Sequence, residues 1–238
     1  MSTFVHSGYC DICEEAAVFR SEYDWFRDHL KCDRCGSIPR ERALMQAIDT
    51  FAPDYQRLQI HESSPGGRGV STKLSKACEN YSYSQFFLDV ALGSYHPERN
   101  ERCESLERLT FDDNSFDLFI TQDVMEHIMD PEAAFREIAR VLKPDGAHIF
   151  TVPIVRKAAE SRRRARLTDG GIVEHLEEPE YHGNPVDPEG SLVTMDWGYD
   201  ILEYIQSTSG LGSQILMIDD IDRGIRAEFI EVVISRKR

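Results

Sequence analysis

Positive charge is in short supply in this sequence. Of 238 residues, 27 are Lys or Arg against 42 Asp or Glu, for a formal net charge of −15. Basic side chains that neutralise phosphates supply most of the affinity for nucleic acid, and they also hold proteins on anionic membranes. The acidic balance therefore argues against both partners. Long apolar runs are missing as well. No stretch reaches the roughly 18 residues of a membrane span, and the opening MSTFVHSGYC lacks an apolar segment of secretory type. The expectation is a soluble, cytoplasmic protein. Internal repeats and low-complexity tracts are also lacking. What is present is ordinary for a globular chain: 41% hydrophobic residues, enough for a core, over a length that suits one or two domains.

Cysteine is scarce but concentrated. Four of the six lie in the first 35 residues, as Cys10-x2-Cys13 and Cys32-x2-Cys35 with 18 residues between the pairs. Each such knuckle offers two thiolates, and two knuckles at this spacing match a tetrahedral zinc site. A disulfide would need an oxidising compartment, and a thioredoxin-like redox pair needs a single CxxC beside a βαβ unit. Residues 1–38 are therefore expected to form a zinc-ribbon-like module whose folding free energy comes from a structural Zn2+. The module is too short for a core of its own. Val18, Phe19, Tyr23, Trp25 and Phe26 would cover the metal or dock the module on residues 39–238, with no flexible linker near residue 38. Cys78 and Cys103 read as small buried side chains.

Beyond residue 38 short apolar runs alternate with helical patterns. PRERALMQAIDTF starts with Pro39 at a first-turn position, sets Ala43, Leu44, Ala47 and Ile48 on one face, and stops before Pro53. RLQIHES, YSYSQFFLD, residues 116–121 and AHIFTVPI read as strands. STKLSKACE and DPEAAFREIARVL read as helices, the latter with Asp130 as N-cap, Pro131 at its first position and KPDG at its close. QILMIDD and AEFIEVVISRK are two further strand-like runs around the turn DRG. Strands separated by helices predict an α/β fold with a parallel, doubly wound sheet.

In such a sheet ligands bind beyond the carboxyl ends of the strands, where strand order reverses. This directs attention to the loop from His61 through Glu62, Ser63, Ser64, Pro65, Gly66 and Gly67, and to Thr121, Gln122 and Asp123. Residues 106–153, LERLTFDDNSFDLFITQDVMEHIMDPEAAFREIARVLKPDGAHIFTVP, resemble the class I S-adenosylmethionine-dependent methyltransferases. That family has an "LPF…SFD" segment leading into its fourth strand, a "DVLEH"-like end, a helix, an "RVLKPGG" turn and a fifth strand. The resemblance extends over residues 55–238, with 155–195 as an insertion. It implies a seven-stranded, mostly parallel Rossmann-like sheet that ends in an antiparallel hairpin, with S-adenosylmethionine as cofactor.

The cofactor motifs depart from the family pattern. Its first loop usually reads "D/E-x-G-x-G-x-G", whereas HESSPGGRG puts Ser63 and Ser64 where glycines are expected. Glu62 would then take the acidic role, Ser64 would offer a hydroxyl, and Gly66 would allow close backbone approach. Tyr83, Ser84 and Gln85 occupy the end of the second strand, where an acidic residue normally holds the ribose; Asp89 lies too late. Glu104, Ser105 and Leu106 fall beside the expected adenine site, and Gln122 and Asp123 end strand four. These departures imply a variant cofactor site, the alternative being a lost one and a non-catalytic binding protein.

Methyl transfer is an in-line displacement in which the enzyme aligns the partners and a base takes any hydroxyl proton. The sulfonium brings its own electrophile, so the transfer requires no catalytic metal. His182, in the loop EYHGNPVDPEG, and His127, in the "EH" pair after strand four, are the candidate catalytic histidines. His148 reads as packed in a strand and His175 as solvated. The insertion, read as a substrate lid, also carries Arg156, Lys157, Arg162, Arg163, Arg164 and Arg166. These form either a solvated helix face paired with Glu174, Glu177, Glu178 and Glu180, or a grip on an acceptor phosphate or carboxylate. Asp196, Trp197 and Tyr199 offer an aromatic platform, although Trp197 suits a core equally. The expected acceptor is a hydroxyl of a small molecule or glycan. An RNA base is the alternative, because the layout resembles ribosomal-RNA guanine methyltransferases with a Cys-rich module, but the charge disfavours it.

Overall fold

A computed structural model describes residues 3–184 and 186–238. Residues 3–35 fold as an antiparallel pair, β1 (Phe4–Cys10) and β2 (Glu15–Ser21), followed by the four-residue helix α1 (Phe26–His29) and the short strand β3 (Lys31–Cys32), which pairs with the edge of β2. Both CxxC turns fall at the ends of these strands. Cys10, Ala17, Phe19, Leu30 and Cys32 are buried together, so the module has a small core, contrary to expectation. Tyr23 and Trp25 do not cover the cysteines; they are 54% and 44% exposed. Phe19 docks the module as expected, with Arg42 against its ring, and Trp25 reaches Phe229 with ring centroids 6.1 Å apart. A Cβ at Gly224 would come within 2.6 Å of the Phe19 ring. Fully buried Arg42 stands over the other part of that ring and donates to the Gly224 and Leu30 carbonyls.

Arg42 lies on α2 (Pro39–Phe51), which starts and stops as its prolines predict and buries Ala43, Leu44, Ala47 and Ile48. Glu41 accepts a hydrogen bond from the Ile38 N–H at 3.0 Å, satisfying a free helix-start donor. The chain then alternates through β4 (Ile60–Ser63), α3 (Gly69–Ala77), β5 (Tyr81–Gln85), β6 (Arg102–Cys103), β7 (Phe116–Gln122), α4 (Pro131–Val141), β8 (Leu142–Thr151), α5 (Ile201–Ser209), β9 (Gly212–Leu216) and β10 (Val232–Arg236). One seven-stranded sheet has the order β9-β10-β8-β7-β4-β5-β6. The five central and right-hand strands are parallel. Only β10 runs against β8, and β9 against β10, giving the expected antiparallel end.

The strands alternate their side chains between two cores. Ile60, Leu118, Ile120, Ile149, Val232 and Ile234 pack under α2 and α3. Phe119, Phe150 and Val233 pack against Phe135 and Ile138 of α4 and Ile201 and Ile205 of α5. That period of two, with both faces covered, is what a doubly wound sheet requires. Cys78, Cys103 and His148 are buried as read.

Three local readings are corrected. KPDG belongs to the span of β8 as an irregularity: Phe116 pairs with Leu142 but Leu118 with Ala147, and Asp145 takes φ +65°. AEFI lies outside β10, and residues 221–223 form a single 3-10 turn. Among its described residues the insertion holds no helix. It is built of short antiparallel pairs, Ala165–Leu167 with Val173–His175 and Tyr181–His182 with Ser191–Leu192, and a third joins Arg162–Arg163 to Met195–Asp196. Trp197 is core rather than platform: it is fully buried and donates from Nε1 to the Met125 carbonyl.

Candidate active site

The chain leaves β4 for β5 and β6 on one side, then crosses back to β7 on the other. The carboxyl ends of β4 and β7 therefore flank the point where strand order reverses. A cavity of about 1550 Å³ opens there. Ser63, Ser64 and Gly66 line it after β4, Gln85 after β5, Glu104, Ser105 and Leu106 after β6, and Gln122 and Asp123 after β7. His127 and His182 line it as well. Eleven of the thirteen residues read from the sequence as cofactor-binding or catalytic thus share one cavity.

Two do not. Tyr83 is 40% exposed and does not line the cavity; it pairs in register with Glu62, two residues short of the strand end where Gln85 reaches the wall. Glu62 is fully buried beneath the cavity and does not line it. It accepts hydrogen bonds from Ser71 Oγ at 2.7 Å, Tyr81 OH at 2.6 Å and Gln122 Nε2 at 2.6 Å. Burial pushes its carboxyl above the usual range against the pull of those donors. The last of these contacts ties Gln122, which lines the wall, to the buried carboxylate. Glu104 does reach the wall, but its oxygens are taken by Arg102 Nε at 2.7 Å and by the Thr110 hydroxyl and N–H at 2.5 and 2.9 Å. Asp89, set aside as too late in the sequence, lines the cavity after all.

The loop after β4 shows how it manages without the family's glycines. Ser64 takes φ +55°, in the left-handed region that glycine favours, and its N–H donates to the Ser84 carbonyl at 2.8 Å. Asp123 takes φ +52° at the end of the adjacent strand β7. A non-glycine residue pays roughly 1–2 kcal/mol for that conformation, a cost typical of functional loops.

Asp123 is the hub of an ion cluster that the sequence did not reveal. Its Oδ2 meets Arg27 Nη2 at 2.6 Å and Arg40 Nε at 3.0 Å, while Oδ1 accepts from Thr151 Oγ1 at 3.0 Å. Burial alone would raise this carboxyl, but the Arg40 and Arg27 guanidinium groups hold it below the usual range. Arg27 comes from α1 of the cysteine-rich module and also donates to the Phe229 carbonyl. The module therefore supplies part of the cavity wall.

His127 and His182 line the same cavity, with Glu126 buried behind them. Glu126 is buried, and neither carboxylate oxygen has a hydrogen-bond partner among the described residues. Burial, and then the charge on Asp123, push its carboxyl well above the ordinary value. His127 Nδ1–H donates to the Leu192 carbonyl at 2.9 Å and leaves Nε2 3.7 Å from Glu126 Oε1. Burial is the main reason its pKa falls to about 4, so the ring is neutral at physiological pH. His182 Nδ1 lies 3.9 Å from the same Glu126 oxygen, and the two imidazoles meet edge-on with centroids 5.0 Å apart. The insertion is pinned to this wall by Thr194, whose N–H donates to the Glu126 carbonyl at 2.8 Å.

The insertion arginines do not line the cavity. Arg162 pairs with Asp196 and Glu177 at 2.9 and 3.1 Å, Arg164 with Asp196 and Glu180 at 3.2 Å each, and Arg166 with Glu174 at 2.7 Å. Arg163 donates to the Met129 carbonyl. Arg27, Arg40, Arg68 and Arg99 are the arginines on the cavity wall.

At the module, the Cys10 and Cys35 sulfurs are 3.9 Å apart, those of Cys13 and Cys32 3.8 Å, and all four lie within 4.8 Å of one another. A tetrahedral ion with bonds of about 2.3 Å sets sulfurs roughly 3.8 Å apart, so the donor set and its spacing fit a four-thiolate metal site.

The methyltransferase domain family matches residues 67–150. A stretch of 122 residues is 29% identical to phosphoethanolamine N-methyltransferase 2 of Caenorhabditis elegans, covering 49% of this chain and 28% of that protein. Another of 92 residues is 30% identical to a ubiquinone biosynthesis O-methyltransferase of Coxiella burnetii, covering 36% and 39%. The matches thus span well under half the length of these relatives. In fold, the chain is similar to an S-adenosylmethionine-dependent methyltransferase from Mesorhizobium loti (TM-score 0.52, 15% identity, 82% of this chain and 98% of that one). It is equally similar to the YcgJ protein of Bacillus subtilis (TM-score 0.51, 15% identity, the same coverage). Residues 67–150 therefore carry a match to the methyltransferase domain, and the sheet around them has the Rossmann-like fold of the S-adenosylmethionine-dependent methyltransferases.

Proposed function

We propose that this chain binds S-adenosylmethionine against the ends of β4, β5 and β7 and transfers its methyl group to a hydroxyl of a small-molecule or sugar acceptor. One observation carries the reading. The polar strand-end residues and the His127–His182 pair line one and the same cavity. Its volume exceeds the roughly 300–1000 Å³ that holds one drug-sized ligand, leaving room for cofactor and acceptor together.

On this reading Ser63, Ser64, Gly66, Gln85 and Gln122 hold the cofactor, with Asp89 available to a ribose hydroxyl. The sulfonium supplies an activated methyl group. His182 takes the acceptor's hydroxyl proton while the oxygen lone pair forms the new C–O bond and the S–CH3 bond breaks toward S-adenosylhomocysteine. His182 is the better-placed base of the two, since its side chain is 39% exposed against 14% for His127. The relatives include both N- and O-methyltransferases, so the hydroxyl is inferred from the histidine pair rather than from them. The cysteine cluster holds one structural Zn2+, all four positions being taken by thiolates. A small acceptor rather than RNA is favoured by the net charge of −15.

Calorimetric titration of zinc-loaded protein with S-adenosylmethionine and S-adenosylhomocysteine tests the reading. Micromolar binding of both supports it. Absence of heat, together with no thermal stabilisation by either ligand, overturns it and leaves a binding protein on a methyltransferase scaffold.

A further inference from the structure

We infer that Glu126, His127 and His182 form a second metal site, for a divalent transition ion of the zinc class, on the acceptor side of the cavity. The three side chains each present a donor atom, and all of these lie within 4.8 Å of one another. Glu126 Oε1 is 3.7 Å from His127 Nε2 and 3.9 Å from His182 Nδ1. Bonds of about 2.1 Å in a tetrahedral arrangement put N and O donors roughly 3.4 Å apart, so both Glu126–histidine distances need shorten by only a few tenths of an ångström to close on an ion.

The carboxylate argues independently. Glu126 is 2% exposed, and both of its oxygens lack a hydrogen-bond partner among the described residues. Arg27 and Arg40 both contact Asp123 instead. A buried acceptor pair left unsatisfied costs several kcal/mol unless a proton or a cation joins it. The neighbouring donors favour the cation, because imidazole nitrogens with free lone pairs point at the same place.

The outer partners fit the same assignment. A metal-binding imidazole normally donates its other N–H to a carbonyl or carboxylate, which fixes ring and tautomer. His127 does so to the Leu192 carbonyl at 2.9 Å, and His182 Nε2 faces Glu180 Oε1 at 3.5 Å. Two imidazoles and one carboxylate suit zinc, iron or manganese rather than calcium or magnesium. Three protein ligands leave a coordination position open, and His127 and His182 line the cavity into which it opens. An ion there would bind an acceptor oxygen and favour its ionised form, a consequence that rests on the proposed methyl transfer; the metal site itself does not. In that case His182 serves as ligand rather than as base.

Metal content distinguishes the two sites. Protein loaded with excess zinc and then desalted should carry two equivalents by atomic emission. Glu126→Gln and His182→Ala should each carry one, with unfolding temperatures showing both variants folded. Cobalt substitution gives a second readout: the thiolate-to-cobalt charge-transfer band should persist in both variants, while the weaker visible bands of a nitrogen and oxygen site disappear. One equivalent in the unaltered protein, with no second isotherm on titration with zinc, manganese or iron(II), overturns the inference. So does a second equivalent that survives both substitutions. Wild-type titration with S-adenosylmethionine separates this from the functional reading, since either ligand can bind while the other fails.

Discussion

Arg27, on the four-residue helix of the cysteine-rich module, donates at 2.6 Å to Asp123 at the end of the central strand β7. The contact joins the module to the floor of the cavity, and both side chains are largely buried, 11% and 15% exposed. Removing one partner of a buried pair usually costs about 3–5 kcal/mol. Arg40 remains beside Asp123, so Arg27→Ala should cost less, about 2 kcal/mol, in urea unfolding of zinc-saturated protein. Metal content should be unchanged, because Arg27 touches no cysteine. A loss within error of zero would mean that Arg40 alone satisfies Asp123.

The same cluster sets an acid limit. The Asp123 carboxyl sits below the usual range because Arg40 and Arg27 outweigh its burial. A depressed folded-state pKa contributes stability that is complete above the unfolded-state value, near 4, and is lost as pH falls through the folded value. Asp123→Asn should therefore be less stable than the parent by a constant amount from pH 7 to about 5, with the gap closing below about pH 4. Taking the difference between the two proteins cancels zinc release, which acid also causes through thiolate protonation. A gap that stays constant into strong acid would show that the carboxylate is not held by the arginines.

Chelation probes the module from the other side. Four thiolates around Zn2+ contribute on the order of 10 kcal/mol to folding of a small zinc unit. The cluster of Cys10, Ala17, Phe19, Leu30 and Cys32 is too small to replace that. Stripping the metal should unfold residues 1–38 and free Arg42, whose guanidinium donates to the Leu30 and Gly224 carbonyls. Limited proteolysis should then cut before Pro39 while the sheet survives at lower thermal stability. Resistance to cleavage without metal would show that docking through Phe19 and Arg42 suffices.

Legibility in the sequence followed the range of the interactions. The alternation of apolar runs, the proline-started helices and the Asp130 cap are local features, and each stands where its residues put it; Asp130 accepts from the Ala133 N–H at 3.0 Å. The paired CxxC turns are local patterns too, and the structure gathers their four sulfurs within 4.8 Å of one another. The Arg27–Asp123 contact joins residues 96 apart and left no pattern. Nor did Glu126 announce its lack of partners, which depends on what surrounds it. The insertion misled because charges spaced like a helical face pair across strands instead. Arg166 stands directly opposite Glu174 in a hairpin, and the two meet at 2.7 Å. Tyr83 shares a face of β5 with Gln85 but stops two residues short of the strand end, a difference in depth that the local pattern YSYSQ does not show.

Glu62 offers the sharpest test of how this variant cofactor loop works. In the family pattern that acidic residue belongs to the loop itself, but here it lies beneath the wall and holds Gln122 Nε2 at 2.6 Å. Glu62→Ala leaves the Ser71, Tyr81 and Gln122 donors without their acceptor, at about 1–3 kcal/mol for each one that water cannot reach. Glu62→Gln keeps the shape and one acceptor oxygen, and it removes the burial penalty on the charge, so it should be near neutral in stability. If Glu62 acts only by positioning Gln122, then Gln122→Ala should weaken S-adenosylmethionine binding as much as Glu62→Ala does, by roughly tenfold or 1.4 kcal/mol each. The double variant should add nothing further, because both changes remove one interaction. Calorimetric affinities of the three proteins decide it. Additive losses would mean that Glu62 reaches the cofactor directly, after a movement of the loop that carries Ser64.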